Sequence, residues 1–257
     1  MTHNIELRIS KDAETAARFV AAEFAELIKE SPKAVLGLAT GGTPVSVYRQ
    51  LVDMNRSGAI TFSECTTFNL DEYVGLGPEH DQSYRYFMQD NLFNHVDVSI
   101  ERTHVPDGIA ADLQTACSDY ESEIEAAGGI DLQLLGIGGN GHIAFNEPGS
   151  DPAGRTGVVD LTEDTVSANS RFFENIDDVP RRAVSLGIGT ILEADRIILM
   201  ATGSNKAEAV ARALDSEPGE DSPASYLQTK NNVVFVLDHD AAGNLSESTI
   251  RSSIPIV

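Results

Sequence analysis

The sequence predicts an α/β fold class with a three-layer α/β/α architecture, in which a mostly parallel open sheet is flanked by helices. Short apolar runs without clean alternation, such as residues 130–137 and 232–237, are typical of parallel strands that are covered on both faces. Several runs are followed by a glycine-bearing loop and then by a helical pattern. With 257 residues, 41% of them hydrophobic, the chain can bury one large core, and we predict that residues 1–257 form a single domain.

The first elements alternate between strand and helix. Residues 5–9 are a candidate first strand, and residues 11–29 carry apolar side chains at helical spacing. The apolar run at residues 34–39 predicts a buried strand. A helix over residues 45–54 is expected next, because proline is favoured at the first helical position after a threonine cap and Pro44 follows a threonine.

The rest of the chain repeats this pattern with one weak region. β-branched and aromatic residues at 65–70 predict a strand, and helices are predicted at 83–93 and 112–127. Residues 150–180 are dominated by Gly, Asp, Pro and Asn, so we expect irregular structure over the site there. A helix after Lys206 is expected to reach Leu214, and a polar tail with room for a short terminal strand starts at Asp238. Three further strands are predicted, at residues 183–188, 196–201 and 232–237.

The net charge is the most unusual bulk property. It is −22, because the chain contains 40 Asp and Glu residues but only 18 Lys and Arg residues. The acidic residues are spread over the whole length, which argues against a disordered acidic tail. Such a surface indicates adaptation to a salty cytoplasm, and an ordinary acidic protein is the alternative. We expect no nucleic-acid partner, since phosphate backbones require basic patches.

Targeting signals are also missing from the sequence. Residues 1–6 lack the pattern of a signal peptide, and no apolar run is long enough to span a membrane, so we expect no membrane partner. Cys65 and Cys117 have no metal-ligand spacing and are expected to be free thiols. These features predict a cytoplasmic protein. They leave its oligomeric state open, and a homo-oligomer is one of the alternatives.

Two interpretations compete for the glycine-rich loop after the strand at 130–137. Gly136, Gly138 and Gly141 fit the G-x-G-x-x-G pattern of a dinucleotide-binding turn, which requires a helix at the last glycine. Pro148 follows too soon for that helix to form. The sequence therefore favours a catalytic loop over a dinucleotide site.

Four ionisable residues are candidates for acid–base chemistry. His142 can carry a proton near neutral pH and Glu147 can orient it, although such a pair is often structural. Asp71 and Glu72 follow the strand at 65–70, where a general base is expected, and solvated surface acids are the alternative. Since adjacent residues of an extended chain point to opposite faces, we expect only one of these two carboxylates to enter the site.

Two loops are candidates for binding an anion. The sequence TGGTP at residues 40–44 precedes a helix N-terminus, whose free N–H groups and dipole attract anions. A simple capped turn with no ligand would have the same sequence pattern and is the alternative. Lys206 opposes the dipole of its predicted helix unless an anion lies between them. Arg171 is the only basic residue between Arg155 and Arg181, and an exposed ion pair is its default interpretation.

Five motifs in this order resemble the glucosamine-6-phosphate deaminase family, and the resemblance covers nearly the whole chain. It implies the fold predicted above and a hydrolase that converts glucosamine 6-phosphate and water to fructose 6-phosphate and ammonia in amino-sugar (N-acetylglucosamine) catabolism. The reaction is an aldose–ketose proton shift without a metal or an organic cofactor. The motifs are TGGTP at 40–44, FNLDEYVG at 68–75, GHIAFNEP at 141–148, NSRFF at 169–173 and GSNK at 203–206.

The resemblance also implies roles for individual residues. Asp71 resembles the general base that moves a proton from C2 to C1, His142 the acid and base that opens the sugar ring, and Glu147 its supporting carboxylate. Asn140 stands where many members have an aspartate; because an amide cannot act as a base, it can only position His142 or the substrate. The implied phosphate ligands are Thr40, Gly41, Gly42, Thr43, Arg171 and Lys206.

Two rival functions and one regulatory property follow from the same comparison. 6-Phosphogluconolactonase shares the fold and a Gly-His loop, but the residues Asn146 and Glu147 and the motif at 71–73 favour the deaminase. A sugar-phosphate-sensing regulator would carry a DNA-binding helix-turn-helix ahead of the domain. Here the first strand is predicted near residue 5, which leaves no room for that motif, and the negative net charge also disfavours DNA binding, so we expect the enzyme. Gly157 and Val159 stand where allosterically activated members carry an arginine and a lysine, so we predict no activation by N-acetylglucosamine 6-phosphate.

Overall fold

The computed structural model describes residues 5–256, and these contain eleven strands and eight α-helices. The strands are β1 (Ile5–Ser10), β2 (Val35–Leu38), β3 (Thr66–Asn69), β4 (Asp71–Tyr73), β5 (Thr103–His104), β6 (Leu132–Leu135), β7 (Gly157–Asp160), β8 (Arg182–Ser185), β9 (Arg196–Ala201), β10 (Val233–Asp238) and β11 (Ile254–Pro255). The α-helices are α1 (Ala13–Glu30), α2 (Val45–Arg56), α3 (Tyr84–Asn91), α4 (Leu113–Ala126), α5 (Glu163–Asn169), α6 (Ile188–Glu193), α7 (Ala207–Asp215) and α8 (Glu247–Arg251).

Eight strands form one parallel sheet in the order β11-β1-β10-β9-β6-β2-β3-β5. Every residue of β2, β6 and β10 is buried, which explains why these strands read as continuous apolar runs. Helices flank this sheet, so the predicted α/β class and its three-layer, mostly parallel architecture are confirmed. None of the helices in residues 5–256 is long and apolar enough to cross a membrane.

A second, antiparallel sheet in the order β4-β8-β7 lies beside the main one. It packs on its own small hydrophobic cluster, which includes Tyr73, Phe145 and Val166. The chain enters it directly from the main sheet, because Leu70 alone separates β3 from β4. This junction turns the backbone away from the main sheet at Asp71.

The irregular structure expected over residues 150–180 is wrong in part. This region contains β7, α5 and two 3-10 helices, Ser170–Phe172 and Ile176–Asp178. Thr162 caps α5 by accepting a hydrogen bond from the backbone N of Thr165. The prediction missed β7 because its side chains are only half-buried and show no apolar alternation.

Two smaller expectations also need correction. The strand predicted at residues 183–188 is β8, an antiparallel strand of the second sheet, and α6 already begins at Ile188. At the start of α2, Pro44 itself is the capping residue and no side chain caps the helix, so the predicted threonine cap is wrong.

Candidate active site

A cleft of about 780 Å³ opens at the carboxyl ends of four neighbouring strands, β9, β6, β2 and β3. The loop that follows each of these strands contributes to its wall, as is general for ligand sites in open α/β sheets. Apart from Glu147, the site residues predicted from the sequence line this cleft, and they are Thr40, Gly41, Gly42, Thr43, Asp71, Asn140, His142, Arg171 and Lys206. Segments far apart in the chain are thus brought together.

Asp71 and Glu72 point to opposite faces of β4, as their adjacency predicted. Asp71 enters the cleft while only 6% exposed, and none of the described residues donates a hydrogen bond to its carboxylate. Burial, and then the negative charge of Glu72, raises the pKa of Asp71 to about 8. A carboxylate that is poorly solvated and has no hydrogen-bond donor is well suited to accept a proton.

Glu72 instead completes the start of α3. Its carboxylate accepts hydrogen bonds from the backbone N atoms of Tyr84 at 2.9 Å and Arg85 at 2.9 Å. These are the first two N–H groups of the helix, which would otherwise lack partners. Glu72 therefore fixes α3 against β4 and, through the shared backbone, holds Asp71 in the cleft.

The glycine loop places His142 over a glycine rather than at the start of a helix. No helix begins at Gly141 within the described residues, so the dinucleotide-binding alternative fails. A Cβ atom on Gly138 would lie 2.2 Å from Cε1 of His142 and 2.3 Å from its Nδ1. Only glycine at position 138 leaves room for the imidazole in this position.

Glu147 lies behind His142 and does not line the cleft. Its Oε2 lies 3.5 Å from His142 Nδ1, which is ion-pair range without a hydrogen bond in this conformation. Asn140 Nδ2 donates to the same oxygen at 2.6 Å, and Thr162 Oγ1 donates to Oε1 at 3.2 Å. A further hydrogen bond to Oε1 comes from the hydroxyl of Thr165.

These contacts keep Glu147 ionised. Burial opposes its charge, but interactions with His142 and hydrogen bonds from Thr165 and Asn140 outweigh burial and lower the pKa of Glu147 to about 2. The site therefore holds two buried carboxyls with opposite shifts: Asp71 takes up a proton easily, and Glu147 does not. Such a divergence is typical of paired acid–base groups in active sites.

The loop at residues 40–44 lines the cleft and leads into α2. Gly41 has a φ of 96°, which favours glycine, and the first turn of α2 carries no acidic side chain. The backbone N–H groups of this loop and the positive end of the helix dipole are therefore compatible with the predicted anion site.

Two cations, Lys206 and Arg171, also line the cleft. The Nζ atom of Lys206 donates to the carbonyl O of Ile137 at 2.7 Å. Burial, and then the nearby positive charge of Arg171, lowers the pKa of Lys206. Arg171 is exposed, packs its guanidinium over the ring of Phe172 at 4.6 Å, and has no carboxylate within 4.0 Å among the described residues. The ion pair that was its default interpretation is therefore not formed.

The sequence did not reveal the role of Arg212. This residue of α7 lines the cleft and donates from Nη2 to the carbonyl O of Gly139 at 2.9 Å. Lys206 and Arg212 thus hold two carbonyls of the loop that carries His142. A basic residue near the middle of an amphipathic helix looks like an ordinary surface charge, so no local signal distinguishes it.

Comparisons with known proteins agree with this arrangement. The model of the family described as glucosamine-6-phosphate isomerases/6-phosphogluconolactonase matches residues 10–236. A glucosamine-6-phosphate deaminase from Rhodopirellula baltica is 54% identical over 243 residues, covering 95% of this chain and 97% of the relative. One from Halothermothrix orenii is 54% identical over 214 residues, covering 83% and 89%.

Solved structures extend the comparison to the fold. A monomeric glucosamine-6-phosphate deaminase has a TM-score of 0.91 and 44% identity, covering 93% of this chain and 99% of its own. The 6-phosphogluconolactonase of Trypanosoma brucei has a TM-score of 0.75 at 20% identity, covering 95% and 100%, and this similarity shows the fold alone. The family resemblance carried by the five motifs is confirmed. The chain belongs to the glucosamine-6-phosphate isomerase/6-phosphogluconolactonase family.

Proposed function

We propose that this protein is a glucosamine-6-phosphate deaminase, an enzyme that converts glucosamine 6-phosphate and water to fructose 6-phosphate and ammonia. Relatives named glucosamine-6-phosphate deaminase, which are about half identical over nearly the whole chain, support this activity. The observation that carries the proposal is the convergence of Asp71, His142 and the loop at residues 40–44 on one cleft.

The substrate's phosphate is bound by the loop at residues 40–44, Arg171 and Lys206. Backbone N–H groups, a helix dipole and two cations together match a dianion. These groups line the same cleft as Asp71 and His142, so a sugar whose phosphate they hold lies within reach of both side chains. Holding the substrate in this way turns the proton transfers into intramolecular steps.

Ring opening is assigned to His142. Its imidazole takes the proton of the C1 hydroxyl and delivers a proton to the ring oxygen as the C1–O5 bond breaks, which leaves an open-chain aldehyde. The ionised Glu147 behind the ring stabilises the imidazolium form between these two transfers. Asn140 fixes Glu147 for this task.

Isomerisation is assigned to Asp71. Its carboxylate takes the proton from C2 while the substrate's ammonium group passes a proton to O1, which gives an enolamine across C1 and C2, and Asp71 then returns its proton to C1. The product is an iminium ion at C2, which adds water and releases ammonia to leave the ketone. A positioned base of this kind is typically worth about a hundred- to ten-thousand-fold in rate.

We also propose the cellular setting. The protein works in a salt-rich cytoplasm as a hydrolase of amino-sugar catabolism, and it needs salt to fold; the spread of acidic residues behind a net charge of −22 supports this. Residues 1–257 act as a single domain, which the family match over residues 10–236 supports.

The test of this function measures both products. Ammonia and fructose 6-phosphate are followed from glucosamine 6-phosphate in concentrated salt, with 6-phosphogluconolactone as a parallel substrate. Equal amounts of the two products are expected. Consumption of the lactone alone would contradict the roles given to Asp71 and Glu147, and would identify the protein as a lactonase.

A further inference from the structure

Asp238, the last residue of β10, joins two loops at the carboxyl edge of the main sheet. Its side chain is buried, and the residue is only 7% exposed. Both carboxylate oxygens accept a hydrogen bond from the backbone N of Gly203 at 3.0 Å. Oδ1 also accepts from the backbone N of Ala241 at 2.8 Å. The carboxylate therefore holds the loop after β9 against the loop after β10.

The loop that begins at Gly203 carries Lys206. Gly203 has φ 87° and ψ 151°, a conformation that is almost restricted to glycine. The 3-10 helix Ser204–Lys206 follows directly, and the backbone N of Lys206 donates to the carbonyl O of Gly203 at 3.0 Å. A rotation of the peptide at Gly203 would thus displace the side chain of Lys206 from its place in the lining of the cleft.

We infer that Asp238 is a positioning residue for the phosphate subsite, because its hold on the amide of Gly203 fixes the loop that presents Lys206. This inference rests on the proposed function, which makes the substrate's phosphate the ligand of Lys206. A negative charge beside an anion-binding loop opposes phosphate binding, so the contribution of Asp238 comes from its hydrogen bonds and not from its charge.

Two substitutions separate these contributions. Asp238→Ala removes all acceptors. Asp238→Asn removes the charge but keeps Oδ1, the oxygen that accepts from both Gly203 and Ala241. Asp97→Ala is the matched control, because Asp97 also accepts from a backbone N, that of Phe62 at 2.7 Å, and lies outside the lining of the cleft.

The experiment measures the dissociation constant of inorganic phosphate by calorimetry, KM and kcat with glucosamine 6-phosphate, and Tm. Asp238→Ala is expected to weaken phosphate binding and raise KM by about tenfold with kcat within about twofold, since a tenfold change corresponds to about 1.4 kcal/mol, which is about the net value of one hydrogen bond. Asp238→Asn is expected to stay within about twofold of the unmodified protein in all three constants. Asp97→Ala is expected to lower Tm and leave phosphate binding unchanged.

Three outcomes would overturn the positioning role: unchanged phosphate binding in Asp238→Ala, equal losses in Asp238→Asn and Asp238→Ala, or an equal loss in Asp97→Ala. If Asp238→Ala does not fold, Gly203→Ala strains the same peptide and carries the same expectation. If the unmodified protein binds phosphate but does not convert the sugar, the proposed function fails while phosphate binding still decides the role of Asp238.

Discussion

The amide of Asn140 donates a hydrogen bond of 2.6 Å to Oε2 of Glu147, the same oxygen that faces Nδ1 of His142. The backbone N of His142 in turn donates to Oδ1 of Asn140 at 3.2 Å. One amide thus connects the backbone of the histidine with the carboxylate behind its ring. This arrangement gives Asn140 a structural reason to be an amide, since it uses both a donor and an acceptor.

Asn140→Ala is expected to lower kcat by about tenfold and to change KM little. The substitution removes one hydrogen bond to a charged group, which is worth about 1.5 kcal/mol or more, from the carboxylate that orients the imidazole. Steady-state kinetics with glucosamine 6-phosphate check this. A rise in KM with an unchanged kcat would mean that Asn140 contacts the substrate instead.

Asp71→Asn is expected to lower kcat by about a hundredfold or more, while phosphate still binds. An amide cannot take the C2 proton, but it fills the same volume. The diagnostic measurement is exchange of the C2 proton with deuterated water, which should stop. Continued exchange would assign proton abstraction to another group, and loss of phosphate binding would indicate a disturbed cleft.

Glu147→Gln is expected to destabilise the protein in a pH-dependent way. The pKa of Glu147 falls from 4.5 to about 2 on folding, so its ionisation stabilises the fold above pH 4.5, and this contribution is lost as pH falls toward 2. The contribution at neutral pH is about 3 kcal/mol. Urea unfolding at several pH values should show the difference between the two proteins shrinking below pH 4.5. A difference that is constant with pH would contradict the ionised state.

Gly138→Ala and Gly139→Ala form a matched pair. A methyl group at position 138 would overlap the imidazole of His142, whereas a methyl group at position 139 meets no atom within 4 Å. We expect Gly138→Ala to lower kcat at least about a hundredfold by displacing His142, with a much smaller loss in Gly139→Ala. Equal losses would show that the loop needs backbone freedom and not space for the ring.

The folded state is expected to require salt. At a net charge of −22, raising the salt concentration from about 0.1 M to about 1 M shortens the Debye length from about 10 Å to about 3 Å and weakens self-repulsion. Thermal unfolding should therefore move to markedly higher temperature over this range. An uncharged solute at equal osmolarity is the control, and full stability in dilute buffer would contradict the prediction.

The parallel sheet could be predicted because its strands are buried on both faces, which leaves continuous apolar runs in the sequence. The second sheet could be predicted only in part. Its strand β8 overlaps the strand expected at residues 183–188, but β4 and β7 show no apolar alternation, and the antiparallel pairing of β8 joins segments that are distant in the chain. Short polar strands carry little periodicity, so only the folded structure reveals them.

The candidate site, like the fold, could be predicted only where the signal is local in the sequence. Glycine loops and ionisable residues at strand ends could be recognised locally, and the structure brings Asp71, His142 and Lys206 into one cleft. Roles that depend on distant contacts could not be recognised. Glu72 caps a helix that begins 12 residues later, and Arg212 binds a carbonyl 73 residues away.

The three cations Arg171, Lys206 and Arg212 stand in one cleft of a chain that has only 18 Lys and Arg. The phosphate of the substrate therefore approaches across a repulsive surface and meets attraction only at these cations. Screening shortens the reach of the repulsion and affects the close contacts far less. Association of the sugar phosphate should accordingly accelerate as salt rises, the reverse of the usual behaviour of an enzyme that steers its substrate by charge.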